Sequence, residues 1–223
     1  MDITGRIAAR PRPGLVPLGG GTRTLGLARP RDAVLQFPAT ASAAPLPLLL
    51  LLHGAGGSAA GILRRLGSAA EEAGLAVLAP ESRESTWDAI RGRFGPDVDF
   101  VNRALERVFQ TMAVDPARVT IGGFSDGASY ALSLGLINGD LFRRILAFSP
   151  GFAVEADPHG RPRVFISHGT ADEVLPIARC SRAIVPRLQA RGYRVTYREF
   201  DGGHTVPADV AREGMRWAAS SEL

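Results

Sequence analysis

Five consecutive leucines, 48–52, form the most apolar stretch of the chain, with no polar residue between them. An unbroken run of this length, without alternation, is what a strand covered on both faces requires. Shorter β-prone runs follow at 76–79, 119–122, 144–148 and 163–167, and residues 194–200 alternate like a final strand. Between them the apolar spacing changes to that of helices. Residues 60–73 read as one helix, closed by Gly74. Phe100, Ala104, Leu105, Val108, Phe109 and Met112 share one face of the next. Further helices are predicted over 128–136, over 177–191 with Pro186 as a kink, and over 208–220. Strand alternating with helix from Leu48 onward predicts a mostly parallel sheet with helices on both faces.

Ahead of this pattern, residues 22–28 and 33–37 read as an antiparallel edge pair across a turn at Pro30, followed by a small-residue loop at 39–45. Residues 1–21, rich in Pro, Gly and Arg, read as an irregular lead-in. Residues 80–98 form a long connection that carries Trp87 and Phe94, and connections of that length are often functional. Asp115-Pro116 predicts a turn into the 119–122 strand. No repeat or linker divides the chain, so the expectation is one α/β domain over 1–223.

The formal charge of +4 changes this picture little. All the basic residues are arginines, spread from Arg6 to Arg216, with only Arg64-Arg65 and Arg143-Arg144 adjacent. Scattered charge of this kind is a solvated surface and argues against nucleic-acid binding. Cys180 is the sole cysteine, which rules out an internal disulfide and argues against a metal site; no cofactor is expected. The N-terminal residues lack the apolar core of a signal peptide, and 46–52 is too short to cross a bilayer. A cytoplasmic protein without membrane insertion is the expectation; the oligomeric state is left open.

The candidate chemistry centres on Gly123-Phe124-Ser125-Asp126-Gly127, set between a predicted strand and a predicted helix. Gly-x-Ser-x-Gly in that setting is the pattern of a nucleophile elbow, where a tight turn exposes the serine hydroxyl. A serine hydroxyl needs a base, and four histidines are available. His53 and His168 end strands, His159 lies in a polar loop, and His204 follows Asp201-Gly202-Gly203 after the last strand. Its place ahead of the terminal helix favours His204 over a plain loop role. The base in turn needs a carboxylate. Asp172, just past the 163–167 strand, is the first candidate, with Asp201 and Glu173 behind it. The order Ser125, Asp172, His204 is one of the known chain orders for such a triad. In a parallel sheet the loops after these strands share one edge.

Leu51-Leu52-His53-Gly54, Gly122-Gly123-Phe124-Ser125-Asp126-Gly127-Ala128, His168-Gly169-Thr170-x-Asp172 and Gly203-His204 together resemble the α/β-hydrolase superfamily. The closest resemblance is to its small phospholipase/carboxylesterase branch, over roughly residues 46–206. It implies an α/β-hydrolase fold with Ser125 as nucleophile, Asp172 as acid and His204 as base. It also implies an oxyanion hole from the backbone N–H groups of Ala55 and Asp126. The short interval between 148 and 163 leaves no room for a large cap. Trp87, Phe124, Phe152 and Leu175 are then candidate walls of an open, partly apolar site. A small ester of short or medium acyl chain, or a lipid-derived ester, suits such a site; thioesters and the polyhydroxyalkanoate or feruloyl ester types are the alternatives. Activity should rise as the His204 imidazole loses its proton.

Two other readings compete. Gly54-Ala55-Gly56-Gly57-Ser58-Ala59 also fits a dinucleotide-binding turn, with Glu81 where a ribose-binding acid would sit. That reading leaves the elbow, the acid loop and Gly203-His204 unexplained. A non-catalytic hydrolase-fold binding protein is the other, and it leaves an intact triad without a purpose.

Overall fold

The computed structural model describes residues 4–13, 15, 20–39, 44–154 and 157–221. Eight strands form one sheet: β1 (Thr22–Thr24), β2 (Ala33–Gln36), β3 (Leu46–Leu52), β4 (Ala76–Pro80), β5 (Val114–Phe124), β6 (Arg144–Phe148), β7 (Arg163–Gly169) and β8 (Val195–Phe200). Their spatial order is β1-β2-β4-β3-β5-β6-β7-β8. The pairs β1–β2 and β2–β4 are antiparallel and the remaining neighbours are parallel.

Helices cover both faces, as the alternation of elements predicts. Helices α2 (Pro96–Thr111), α3 (Asp126–Ile137) and α4 (Ser181–Ala190) pack into one apolar layer. Helices α1 (Ala59–Glu72) and α5 (Ala208–Ala219) pack into the other. The leucine run of β3 divides between them: Leu48, Leu50 and Leu52 face the first layer, Leu49 and Leu51 the second. All five are fully buried, which explains why no polar residue interrupts the run.

Four local expectations change. The first concerns the start of the chain, which has no regular secondary structure among the described residues before β1 but is not a loose lead-in at 5–10. Asn138 takes the Ile7 N–H on its Oδ1 and donates Nδ2 to the Gly5 carbonyl, both at 2.8 Å. Asn102 accepts the Ala8 and Ala9 N–H groups, and Arg6 and Arg10 both pair with Asp140. Ile7 and Ala9 are buried in the α2/α3 layer. Second, β1 ends at Thr24, because the Asp32 carboxylate captures the Gly26 and Leu27 N–H groups and turns the chain there. Third, the Asp115-Pro116 turn lies inside β5 as an irregularity: the register jumps from Leu46↔Val114 to Leu48↔Val119. Asp115 holds it by accepting from Ala117 and Arg118. Fourth, α4 begins at Ser181, with 177–180 in turns ahead of it.

Between β6 and β7 no helix occurs among the described residues, so they contain no large cap domain at this point of the sheet edge. Among the described residues, no helix is long and apolar enough to cross a membrane.

Candidate active site

β5 delivers Ser125 to the sheet edge in a backbone conformation of φ 58° and ψ −122°. That φ lies where side chains are rarely tolerated, so the surroundings must hold it. The Ser125 N–H donates to the Phe148 carbonyl at 2.9 Å, and the Ser125 carbonyl accepts from Ala128 and Ser129 in the first turn of α3. The flanking glycines are sterically required. A Cβ on Gly123 would lie 2.4 Å from the Gly127 backbone, and one on Gly127 would lie 2.3 Å from the Leu52 carbonyl oxygen. Strand β5, strand β3 and helix α3 therefore meet at a distance that only bare backbone permits.

His204 comes from the loop after β8 and Asp172 from the loop after β7. His204 Nε2 lies 2.8 Å from Ser125 Oγ, and its Nδ1 lies 2.6 Å from Asp172 Oδ2. Close backbone packing makes this possible: a Cβ on Gly169 would strike the carbonyls of Gly202 and Gly203 at 2.4 Å. Asp172 is fixed from both oxygens. Its Oδ1 accepts the Val174 and Leu175 N–H groups, and its Oδ2 faces two imidazoles, His204 and His168. Burial alone would raise the Asp172 carboxyl, but the Leu175 N–H and the His204 ring outweigh it, so the carboxylate stays below its ordinary value. Neither Asp201 nor Glu173 takes this place.

Two histidines that end strands act as struts. His53 Nε2 accepts the Ser82 N–H, which puts its proton on Nδ1, donated to the Gly54 carbonyl at 2.7 Å. His168 Nδ1 lies 2.7 Å from Ser181 Oγ, and its Nε2 donates to the Leu175 carbonyl and faces Asp172 Oδ2 at 3.2 Å. Burial lowers the pKa of both rings, so both are neutral hydrogen-bonding parts near pH 7. Motif matching alone gave these positions no role of their own; the Gly after each was the visible feature.

Trp87 is the correction among the candidate wall residues. Its side chain is fully buried, stacked on Tyr130 at 5.1 Å, and its indole N–H donates to the His53 carbonyl at 2.8 Å. It braces the loop that carries Ala55 from beneath and has no surface to offer a substrate. The loop turns inward because Asp97, on α2, accepts the Asp88 and Arg83 N–H groups, while Asp88 accepts the Tyr130 hydroxyl.

A family model for phospholipase/carboxylesterase matches residues 98–213, just over half of the chain and all three of Ser125, Asp172 and His204. The chain belongs to that family. Among curated relatives, it is 33% identical over 179 residues to the protein NocK of Nocardia uniformis subsp. tsuyamanensis, whose esterase label is provisional. The match takes in 75% of this chain but 45% of NocK, so the chain spans under half the length of that relative. The S-formylglutathione hydrolase of Staphylococcus aureus superposes with a TM-score of 0.72 at 18% identity, covering 93% of this chain and all of that one. The Bacillus cereus carboxylesterase does so with a TM-score of 0.65 at 20% identity, over 87% of this chain and 96% of that one. At such identities the likeness is one of fold, and it confirms the α/β-hydrolase architecture expected from the sequence.

For a member of this family, the arrangement around the elbow is open to solvent. A cleft of about 540 Å³ runs along the 53–58 loop and the first turns of α1. Gly54, Ala55 and Phe124 line it, and a Cβ on Gly54 would come within 3.3 Å of Ser125 Cβ. Ala55 thus borders the cleft next to the serine, and Asp126 heads α3, where first-turn N–H groups lack partners within the helix. Phe124 is mostly buried, with its ring 4.8 Å from that of His204. Leu175 packs against Gly151 on the far side of β5, next to the half-buried Phe152.

The dinucleotide-binding reading loses its anion site. Glu81 Oε1 accepts the Ala59 N–H and Ser58 Oγ accepts the Gly61 N–H. The N-terminus of α1 is filled by the chain's own carboxylate, where a pyrophosphate would need free donors.

Proposed function

We propose that the protein hydrolyses carboxylic esters through an acyl-enzyme on Ser125. The observation that carries this reading is the continuous path Ser125 Oγ–His204–Asp172, with contacts of 2.8 and 2.6 Å. His204 Nε2 takes the hydroxyl proton as Ser125 Oγ bonds to the ester carbonyl carbon, and the oxyanion turns toward the N–H groups of Ala55 and Asp126. The carbon–oxygen bond to the alcohol then breaks and His204 returns the proton to the departing oxygen. A water molecule, deprotonated by the same imidazole, attacks the acyl-enzyme, and Ser125 leaves as the hydroxyl. Asp172 keeps the Nδ1 proton in place and stabilises the imidazolium; it takes no proton itself.

An uncapped site with Leu175 and Phe152 on one side suits acyl groups of short or medium length. Thioesters share the chemistry, since the same carbonyl attack expels a thiol. The test combines labelling of Ser125 by a fluorophosphonate with turnover on p-nitrophenyl esters of increasing acyl length and on thioester comparators. Ser125→Ala is expected to abolish both while leaving the folded protein's melting curve in place. Full turnover in that variant would remove the assignment.

A further inference from the structure

The cleft beside Ser125 has one wall that ester hydrolysis as such does not need. Arg64 and Arg65, in the second turn of α1, both line it, and both are exposed. No acidic side chain lines the cleft, and among the described residues no carboxylate pairs with either arginine. Glu81, the acid beneath this end of α1, is engaged by the Ala59 N–H and stands 3.9 Å from Arg31. Two guanidinium side chains on one cleft without an acidic lining residue form a field that favours an anion. Their planar donor forks also match an oxyacid group such as a carboxylate or a phosphate.

The position of this wall relative to the imidazole gives it a direction. The Arg65 guanidinium lies over the Phe124 ring at 4.8 Å, and the same ring stands 4.8 Å from the His204 ring. In the mechanism above, the oxygen that departs must lie next to His204 to recover its proton. A group attached to that oxygen can extend from the imidazole across Phe124 to reach Arg65. The opposite side of β5 is apolar: Leu175 and Phe152 lie there, and Val174 beside them is the one large hydrophobic side chain that is strongly exposed among the described residues, at 65%. The site is thus cationic on the leaving-group side and apolar on the other.

We propose that the preferred substrates are esters whose alcohol portion bears an anionic oxyacid group, bound by Arg65 and Arg64 across the Phe124 ring. The inference rests on the ester-hydrolase reading, and the experiment separates the two. Phenyl acetate, para-acetoxybenzoate and para-acetoxyphenyl phosphate carry no anion, a carboxylate and a phosphate on the alcohol side. Phenyl hemisuccinate and phenyl butyrate form the matched pair with the charge on the acyl side. For each anionic ester, kcat/KM is divided by that of its neutral counterpart, in the wild type and in the Arg64→Gln/Arg65→Gln double variant, with melting curves to verify folding.

The expected result is a fall of about tenfold in the alcohol-side ratios, the size of one partly solvated charge-assisted contact. The acyl-side ratio should move much less, Arg65→Lys should recover part of the loss, and added salt should compress the wild-type preference. The larger of the carboxylate and phosphate responses identifies the anion that the pair recognises. Unchanged ratios in the double variant, or a fall equal to or smaller than that on the acyl side, would overturn the proposal. Hydrolysis of phenyl acetate that survives Ser125→Ala would instead refute Ser125 as the nucleophile, and a wild type that turns over neither phenyl acetate nor any anionic ester would refute the ester-hydrolase reading itself.

Discussion

His168 Nε2 stands 3.2 Å from Asp172 Oδ2, with both side chains fully buried. The carboxylate proposed as the triad's acid therefore faces two imidazoles, one toward the serine and one toward the core. The inner ring is locked by Ser181 and by the Leu175 carbonyl, so it fixes the carboxylate rather than exchanging protons with it. Replacing His168 with Ala should lower kcat roughly tenfold or more, because a small displacement of the acid misaligns His204. KM should change little, and stability should fall by about 1–3 kcal/mol for the buried partners left unsatisfied. Steady-state kinetics with a denaturant titration tests both parts; an unchanged kcat would show that Asp172 is held without it.

Gly127→Ala sets two effects against each other. Alanine gains up to about 1 kcal/mol over glycine as a helix residue. Its Cβ would, however, lie 2.3 and 2.5 Å from the Leu52 and His53 carbonyl oxygens, which are strand-end backbone and cannot swing aside. The clash wins: a net destabilisation of about 2–4 kcal/mol is expected, together with loss of fluorophosphonate labelling. A stable, fully labelled variant would mean that the elbow has room the geometry denies.

Trp87→Phe keeps most of the ring stacked on Tyr130 but removes the N–H that satisfies the His53 carbonyl. The buried carbonyl left behind should cost about 1–3 kcal/mol. Because that carbonyl precedes the loop carrying Ala55, kcat is expected to drop several-fold with every ester in a panel, whatever its acyl length. A drop confined to long acyl chains would restore Trp87 as a pocket wall.

Asp97 gives a pH signature. Burial, reinforced by the charge of Asp88, raises its pKa from the usual 3.8 to about 6, against the pull of its N–H donors. A carboxyl raised on folding adds stability that is fully present below its unfolded pKa, near 4, and is lost as pH rises through about 6. Asp97→Asn cannot titrate. The stability of the wild type relative to this variant should thus be greater at about pH 4.5 than at about pH 7.5, by about 2 kcal/mol. Chemical denaturation of both proteins at the two pH values measures it, and a constant difference would remove Asp97 as the source.

Much of this architecture can be read along the chain because it depends on local chemistry. The leucines of β3 must be buried on two faces, and two glycines must flank a serine if strand and helix are to touch behind it. The positions of Asp172 and His204 follow strands whose ends share an edge, so their meeting with Ser125 is also legible. What escapes the sequence depends on distant partners. Trp87 reads as a candidate wall of the site until Asp97, Asp88 and Tyr130 turn its loop inward. Helical spacing marks Arg64 and Arg65 as exposed, but which exposed side of α1 faces the serine is set by how the helix lies on the sheet. The docking of residues 5–10 is hidden for the same reason: Asn102, Asn138 and Asp140 lie 93 to 134 residues away.

That docking has a practical consequence. Asn138 caps the far end of the helix that begins next to Ser125, and the same side chain grips the chain at Gly5 and Ile7. Residues 5–10 serve as a clasp on the elbow helix. Anyone engineering this protein should leave residues 5–10 in place, and should treat their removal as a change to the helix that starts beside Ser125.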